Sequence, residues 1–229
     1  MNCEPLLSLF LPRRCVICDK RLGKGEEHIC AGCLTTLIHP TLLDPTDNEV
    51  ARRIWGFHTI RAGVTLYYYK RGSEAQQLLQ AMKYRGRIDV CKSMGRMLAS
   101  TFTGSGFFDT IDAIIPIPLS KARRRWRGYN QASHIAQGIS KVTGIPILEK
   151  ALARVKDNET QTHQNYTQRV ENVKDIFAVE KQLPIDGKHL LIIDDVITTG
   201  ATLHSAIATL SKAYPKATFS VASIALTIE

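Results

Sequence analysis

The residues best placed to do chemistry crowd into one short stretch, Asp194-Asp195-Val196-Ile197-Thr198-Thr199-Gly200-Ala201-Thr202. Four aliphatic residues, Leu190 to Ile193, precede it, and Leu203, Ile207 and Leu210 follow at helical spacing. The first run reads as a strand buried on both faces of a parallel sheet, the second as an amphipathic helix. The two acids then stand where the strand ends, and Thr198 to Thr202 make a loop at a helix N-terminus. Loop N–H groups and hydroxyls bind phosphate there, glycine lets the backbone approach closely, and adjacent carboxylates accept from a pair of vicinal hydroxyls. The combination suits a sugar phosphate. An N-cap alone would need one such residue, not six.

Cys15-x-x-Cys18 and Cys30-x-x-Cys33 form a second group. Each CxxC turn lets two thiolates reach one ion, and two turns complete a tetrahedral four-sulfur site, read as structural zinc. Two disulfides are the alternative, disfavoured because no export signal is seen and a reducing compartment is expected. No apolar run approaches the roughly 18 residues of a membrane span, so the protein is expected to be cytoplasmic with no membrane span. Cys91 shares a stripe with Met94 and Leu98 and reads as a core thiol.

The third group is basic. Residues 51 to 100 hold ten Lys/Arg against two acids and residues 101 to 130 five against two, a net +11 where the whole chain carries +9. That concentration favours a polyanionic partner, diphosphate or nucleic acid. Lys83 and Arg85 lie in one turn, Lys83-Tyr-Arg-Gly-Arg87. Arg123, Arg124, Arg125 and Arg127, interleaved with Trp126 and Tyr129, lie in a glycine-containing loop after the strand-like run Asp112 to Pro118. A strand, basic loop and helix in that order make a second anion site, and the aromatic residues could stack nucleobases.

The elements that must hold these groups are legible in outline. With 229 residues and 44% hydrophobic content there is room for one full domain and a small appendage. The expected division is a zinc module over 1–40 and a main domain over 41–229, with residues about 37 to 60 as a connection. Val64 to Tyr69 reads as a strand. Ser73 and Gln76 open a helix through Met82 as a capping box, and a second helix runs from about Asp89 to Thr101. Pro116 and Pro118 place the end of the next strand at a sheet margin. A helix then follows with Ile135, Ile139 and Val142 on one face. Arg154 to Arg169 is polar and aperiodic, an exposed loop in which His163 could act as a base.

The acidic and threonine-rich stretch resembles the phosphoribosyl-diphosphate motif of type I phosphoribosyltransferases. The resemblance assigns the ribose hydroxyls to Asp194 and Asp195 and the 5-phosphate to Thr198, Thr199, Gly200, Ala201 and Thr202, with Val196 in the motif. The cysteine knuckles, the Lys-Tyr-Arg-Gly turn, the Pro-Ile-Pro strand, Arg127-Gly-Tyr-Asn-Gln131, Arg154, Gln161, Arg169, Asn172 and Phe177 extend it, over nearly the whole chain, to the ComF family of bacterial competence proteins.

That resemblance implies an α/β fold: a type I phosphoribosyltransferase-like core, its parallel sheet flanked by helices, plus a four-cysteine zinc module. It implies a part in natural DNA uptake, with phosphoribosyl diphosphate, single-stranded DNA and other competence proteins as partners. By analogy the Arg154–Arg169 loop would be a lid. An active enzyme would displace diphosphate from the anomeric carbon with a nitrogen nucleophile, aided by Mg2+. Purine-salvage members carry an acid early in the phosphate loop where this chain has Thr198, and the sequence shows no aromatic base pocket. Three readings follow: a DNA-uptake protein binding both ligands, an active transferase with an unidentified acceptor, and a ligand-sensing regulator.

Overall fold

A computed structural model of the chain describes residues 12–40, 44–55, 60–84, 86–156 and 176–228. The chain runs α1 (Ala31–Thr36), α2 (Glu49–Trp55), β1 (Ala62–Tyr69), α3 (Glu74–Tyr84), α4 (Ile88–Thr103), β2 (Ala113–Pro116) and α5 (Lys121–Arg127). It continues α6 (Gln131–Thr143), β3 (Leu152–Arg154), β4 (Phe177–Val179), β5 (His189–Ile197), α7 (Ala201–Ala213) and β6 (Thr218–Thr227). Four strands form a parallel sheet in the order β1-β6-β5-β2, extended past β2 by a parallel bridge from Ile114 to Ile147. β3 and β4 make a separate antiparallel pair.

The aliphatic run of β5 explains why this sheet has two covered faces. Alternate side chains leave a strand on opposite sides. Leu191 and Ile193 join the core built with α3, α4 and α6, while Leu190 and Ile192 join the core built with α2, α7 and the β3–β4 pair. All four are fully buried. The crossovers divide in the same way: β1 and β2 are followed by helices on the first face, β5 by α7 on the second. Strand order therefore reverses direction between β2 and β5, which is where open α/β sheets form a crevice at their C-terminal edge.

Several elements differ from the sequence reading for identifiable reasons. β5 does not end before Asp194. It continues to Ile197 because β6 stays in register beside it, with Asp194 opposite Ser223 and Ile197 opposite Leu226. The supposed connection over 37 to 60 contains α2, started by Asn48, whose carboxamide oxygen accepts from the Val50 and Ala51 amides at 2.9 and 3.1 Å. The capping box at Ser73 is displaced by one residue, since Gln76 accepts from Gly72 N–H at 2.6 Å. The basic loop is a short helix, α5, capped by Ser120 and ended by Gly128 at φ 81°. Val142 is exposed, whereas Ile135 and Ile139 are buried as expected. Only residues 154–156 of the polar Arg154–Arg169 stretch are described; Gln161, His163, Arg169 and Asn172 lie outside the described residues.

The cysteine segment packs into the first core. Cys15, Val16, Ile17, Leu22, Ile29, Cys33 and Leu37 belong to the same buried cluster as α3, α4 and β1. Polar contacts tie the two together, because Glu27 accepts from Ser93 at 2.6 Å and from Arg96 at 2.5 Å on α4. Beyond it the chain covers the outer edge of β1, where Tyr68 N–H donates to Ile38 and Gly63 N–H to Pro45, both at 2.7 Å. Loss of the metal site should therefore be felt by the main core as well as by the cysteine segment.

Candidate functional site

The site begins where β2 parts from β5. Their last pair is Pro116 with Ile193, and the final bond runs from Ile117 N–H to the Ile193 carbonyl at 2.9 Å. The nitrogen of Pro116 faces the other edge of β2, where Ile114 N–H bonds to the Pro146 carbonyl, so the β5 ladder runs on to Ile117 and stops there. Past that point β5 is bounded on one side only, and a cleft of about 270 Å³ opens. Asp194, Asp195, Val196, Thr198 and Thr202 form one wall; Lys83 from α3, Arg123 and Arg127 from α5 and Arg154 from β3 bring cationic side chains to it. Asn130 fixes the far lip, its amide donating to the Ile117 carbonyl at 3.0 Å while its oxygen caps α6 through Ala132 N–H.

The threonine loop is held from behind by α2, the helix that sequence reasoning missed. Arg53 Nη1 donates to the Thr198 carbonyl at 2.6 Å, and the same guanidinium pairs with Glu49 at 3.1 Å. Gly200 makes the turn into α7 at φ 80°, and a Cβ there would lie 2.8 Å from Ile54 Cδ1 and 3.2 Å from the Arg53 carbonyl. Glycine is thus demanded by both backbone angle and space. Gly200→Ala should destabilise the protein by about 2 kcal/mol, combining αL strain with overpacking. A urea midpoint equal to the wild type's would show that α2 does not press on the loop. The signal for Arg53 was present in the sequence as Asn48 before Val50, Ala51 and Ile54, a cap followed by an apolar stripe.

The two acids sit in different electrostatic surroundings. Lys83 Nζ lies 3.3 Å from an Asp195 carboxylate oxygen, and both side chains are largely buried. Burial, and after it the Asp195 charge, push the Asp194 carboxyl up to about 7, against the pull of Asp195 N–H, Lys83 and Arg154. Asp195 N–H donates to Asp194 Oδ1 at 2.8 Å, which fixes that side chain. A carboxylate perturbed in this way in a cationic cleft is a functional-site candidate.

The arginine-rich segment separates into two faces. Arg123 and Arg127, one turn apart, line the cleft, whereas Arg124, Arg125 and Trp126 face outward, Trp126 being 72% exposed. Trp126 meets exposed Tyr84 at 5.3 Å between ring centroids, and the Arg127 guanidinium lies 5.4 Å over the Tyr84 ring. Tyr129 does not join this platform. It is buried, with its hydroxyl donating to the Met82 carbonyl at 2.7 Å, so its ring is core rather than a stacking surface. Arg85 lies outside the described residues.

The sulfurs of Cys15, Cys18, Cys30 and Cys33 all lie within 4.8 Å of one another, with Cys18 and Cys30 3.6 Å apart. Zn–S bonds of about 2.3 Å in a tetrahedron put sulfurs about 3.8 Å apart, so the donor set fits zinc. Burial pushes the Cys15 thiol up, but N–H groups of Cys18, Cys30 and Ile17 donating to it bring it down to about 7. Cys91, by contrast, is buried and pushed up to about 12, as a core thiol should be.

The phosphoribosyl transferase domain family matches residues 103–228, the part that contains β2, α5, α6, β5, α7 and β6. Over 194 residues the chain is 30% identical to competence protein ComFC of Bacillus subtilis, covering 84% of this chain and 75% of that one. The chain belongs to the ComF family of competence proteins. Among its relatives is the DNA utilization protein YhgH of Shigella flexneri, 31% identical over 209 residues, or 85% of this chain and 89% of that protein. A weaker likeness, 12% identical with a TM-score of 0.39, is to the crystal structure of an adenine phosphoribosyltransferase over 65% of this chain and 84% of that one. In this ComF protein the cysteine site lies wholly outside the matched domain. No helix among the described residues is long and apolar enough to cross a membrane.

Proposed function

We propose that this protein binds phosphoribosyl diphosphate with Mg2+ in the β2–β5 cleft and unpaired DNA along the outer face of α5, in the service of DNA uptake or utilisation. The observation that carries the first half is the convergence, in one crevice, of Asp194 and Asp195, the Thr198–Thr202 loop at the start of α7, and the cations Lys83, Arg123, Arg127 and Arg154. The loop N–H groups and hydroxyls receive the 5-phosphate, the acids accept from the ribose hydroxyls, and the cations with Mg2+ offset the diphosphate. The relatives named for competence and DNA utilisation supply the physiological setting.

The outward face of α5 supports the second half. Arg124, Arg125 and the tilted Tyr84–Trp126 ring pair combine phosphate neutralisation with exposed aromatic faces for sequence-tolerant stacking. The two faces of one helix make the two ligands separable. Arg124→Ala should lower single-stranded DNA affinity and make the salt slope shallower by about 0.7, the contribution of one phosphate contact. Arg123→Ala should weaken phosphoribosyl diphosphate binding instead. Fluorescence anisotropy over a salt series, paired with calorimetry, tests both; identical losses of both ligands in both variants would collapse the two surfaces into one.

A further inference from the structure

The Thr198–Thr202 loop has two sides. On one, Thr198 and Thr202 line the cleft. On the other, Gly200 faces Ile54 and Arg53 of α2, and the Arg53 guanidinium donates to the Thr198 carbonyl at 2.6 Å. Arg53 does not line the cleft, and it precedes the matched domain of residues 103–228. The loop of that domain is therefore gripped by a residue from outside it. The guanidinium is itself fixed, because Nη2 donates to a Glu49 oxygen at 3.1 Å. Glu49 also accepts from the Tyr68 hydroxyl, and burial, followed by this bond, raises the Tyr68 phenol above its ordinary range. One polar chain thus joins β1, α2 and the loop.

The grip has a consequence on the cleft side. A trans peptide puts its C=O and N–H on opposite sides, and no described peptide bond is cis. With the Thr198 carbonyl drawn toward α2, the N–H of the same peptide, which belongs to Thr199, points away from α2. Among the described residues no protein group accepts from it. The Thr199 hydroxyl, meanwhile, is taken by Ala201 N–H at 3.4 Å.

We infer that Arg53 is a positioning residue for the ligand phosphate, which turns the Thr199 N–H toward the cleft and makes it a stronger donor. The strengthening follows from polarisation: a cation on the carbonyl pulls electron density through the peptide, and bonds in such a chain reinforce one another. Its charge also sits one peptide behind the anion without touching it. A loop that must leave its N–H groups open for a ligand has no partner on that side to fix the peptide plane, and Arg53 supplies the constraint from the back. The inference rests on the reading that this loop receives the 5-phosphate, and it names the residue outside the matched domain on which that affinity depends.

The test uses the full chain labelled with nitrogen-15, titrated with inorganic phosphate and with ribose 5-phosphate while the loop amides are followed by NMR. In the wild type both ligands should move the Thr199 amide proton downfield. Arg53→Met keeps the stem that packs beside Gly200 but removes the charged donor. It should abolish that shift and weaken ribose 5-phosphate about fivefold to tenfold, the worth of roughly one hydrogen bond. Arg53→Lys still offers one charged donor and should recover most of the affinity, which a role in packing alone would not produce. Single-stranded DNA binding on the outer face of α5 should be the same in all three proteins and reports an intact fold. Phosphate that shifts Thr199 only when Arg53 is present, in a protein that does not bind phosphoribosyl diphosphate, would remove the proposed function and leave the inference. Phosphoribosyl diphosphate that binds with the Thr199 amide unmoved, or ribose 5-phosphate that binds Arg53→Met as it binds the wild type, overturns the inference alone. A wild-type loop in which phosphate moves no amide overturns both.

Discussion

Asp195→Asn should weaken phosphoribosyl diphosphate binding by roughly 10- to 100-fold while leaving the sheet in place. The substitution keeps the shape but replaces a charged acceptor, and hydrogen bonds to charged groups are worth about 1.5–3 kcal/mol. It also strands Lys83, whose ammonium lies 3.3 Å from that carboxylate. The pH dependence should move with it. The Asp194 carboxyl is held at about 7, above its ordinary 3.8, by burial first and the Asp195 charge second. Because the folded pKa is the higher one, the folded state binds the extra proton between about 4 and 7, and this group's contribution to stability falls as pH rises through that window. A ribose hydroxyl needs the ionised acid, so affinity should rise as pH passes 7. With asparagine at 195 the second cause is gone, and the rise should come at lower pH. Calorimetry from about pH 5.5 to 8.5 on both proteins reads this, since protonation of the ligand is common to the two and cancels in the comparison. Equal affinity and an unmoved midpoint would remove Asp195 from the site.

What was legible beforehand was local chemistry, and what was not depended on which elements meet. The Asp194–Thr202 stretch carries its strand, turn and helix signals within a dozen residues, so its role as a loop at a helix N-terminus could be read directly. Arg53 supports the same loop from 145 residues away, and no linear pattern joins them. The limits of β5 were misjudged because an aspartate pair looks like a strand end, whereas pairing with β6 over Ser223 to Leu226 decides the matter. Tyr129 sits among arginines in sequence, yet α6 starts two residues later and turns the ring inward to Met82. Linear clustering of Arg123 to Arg127 likewise concealed a division that a seven-residue helix imposes by its period.

Loss of the zinc site should destabilise the whole chain, not the cysteine segment alone. Elemental analysis should find one zinc per chain, and Cys18→Ser is the most informative variant, because Cys18 is exposed while Cys15 and Cys33 are buried. Replacing it removes a ligand with little loss of packing. The described part of the segment has one six-residue helix, too short to be stable by itself, and the binding free energy of a structural metal in comparable small modules, about 10–16 kcal/mol, is folding free energy. Its buried residues, however, complete the core of α3, α4 and β1. Even a third of that energy transmitted to the main domain is about 4 kcal/mol, which lowers the melting temperature of a chain this size by about 10 °C. The route to the cleft is short. Arg87, which meets His28 at 3.2 Å and Asp89 at 2.8 Å, starts α4 four residues after Lys83. A loosened cysteine segment therefore frees the α3–α4 turn, and phosphoribosyl diphosphate affinity should fall together with thermal stability. A Cys18→Ser protein that has lost its zinc but melts and binds as the wild type does would show that the shared core carries no such coupling.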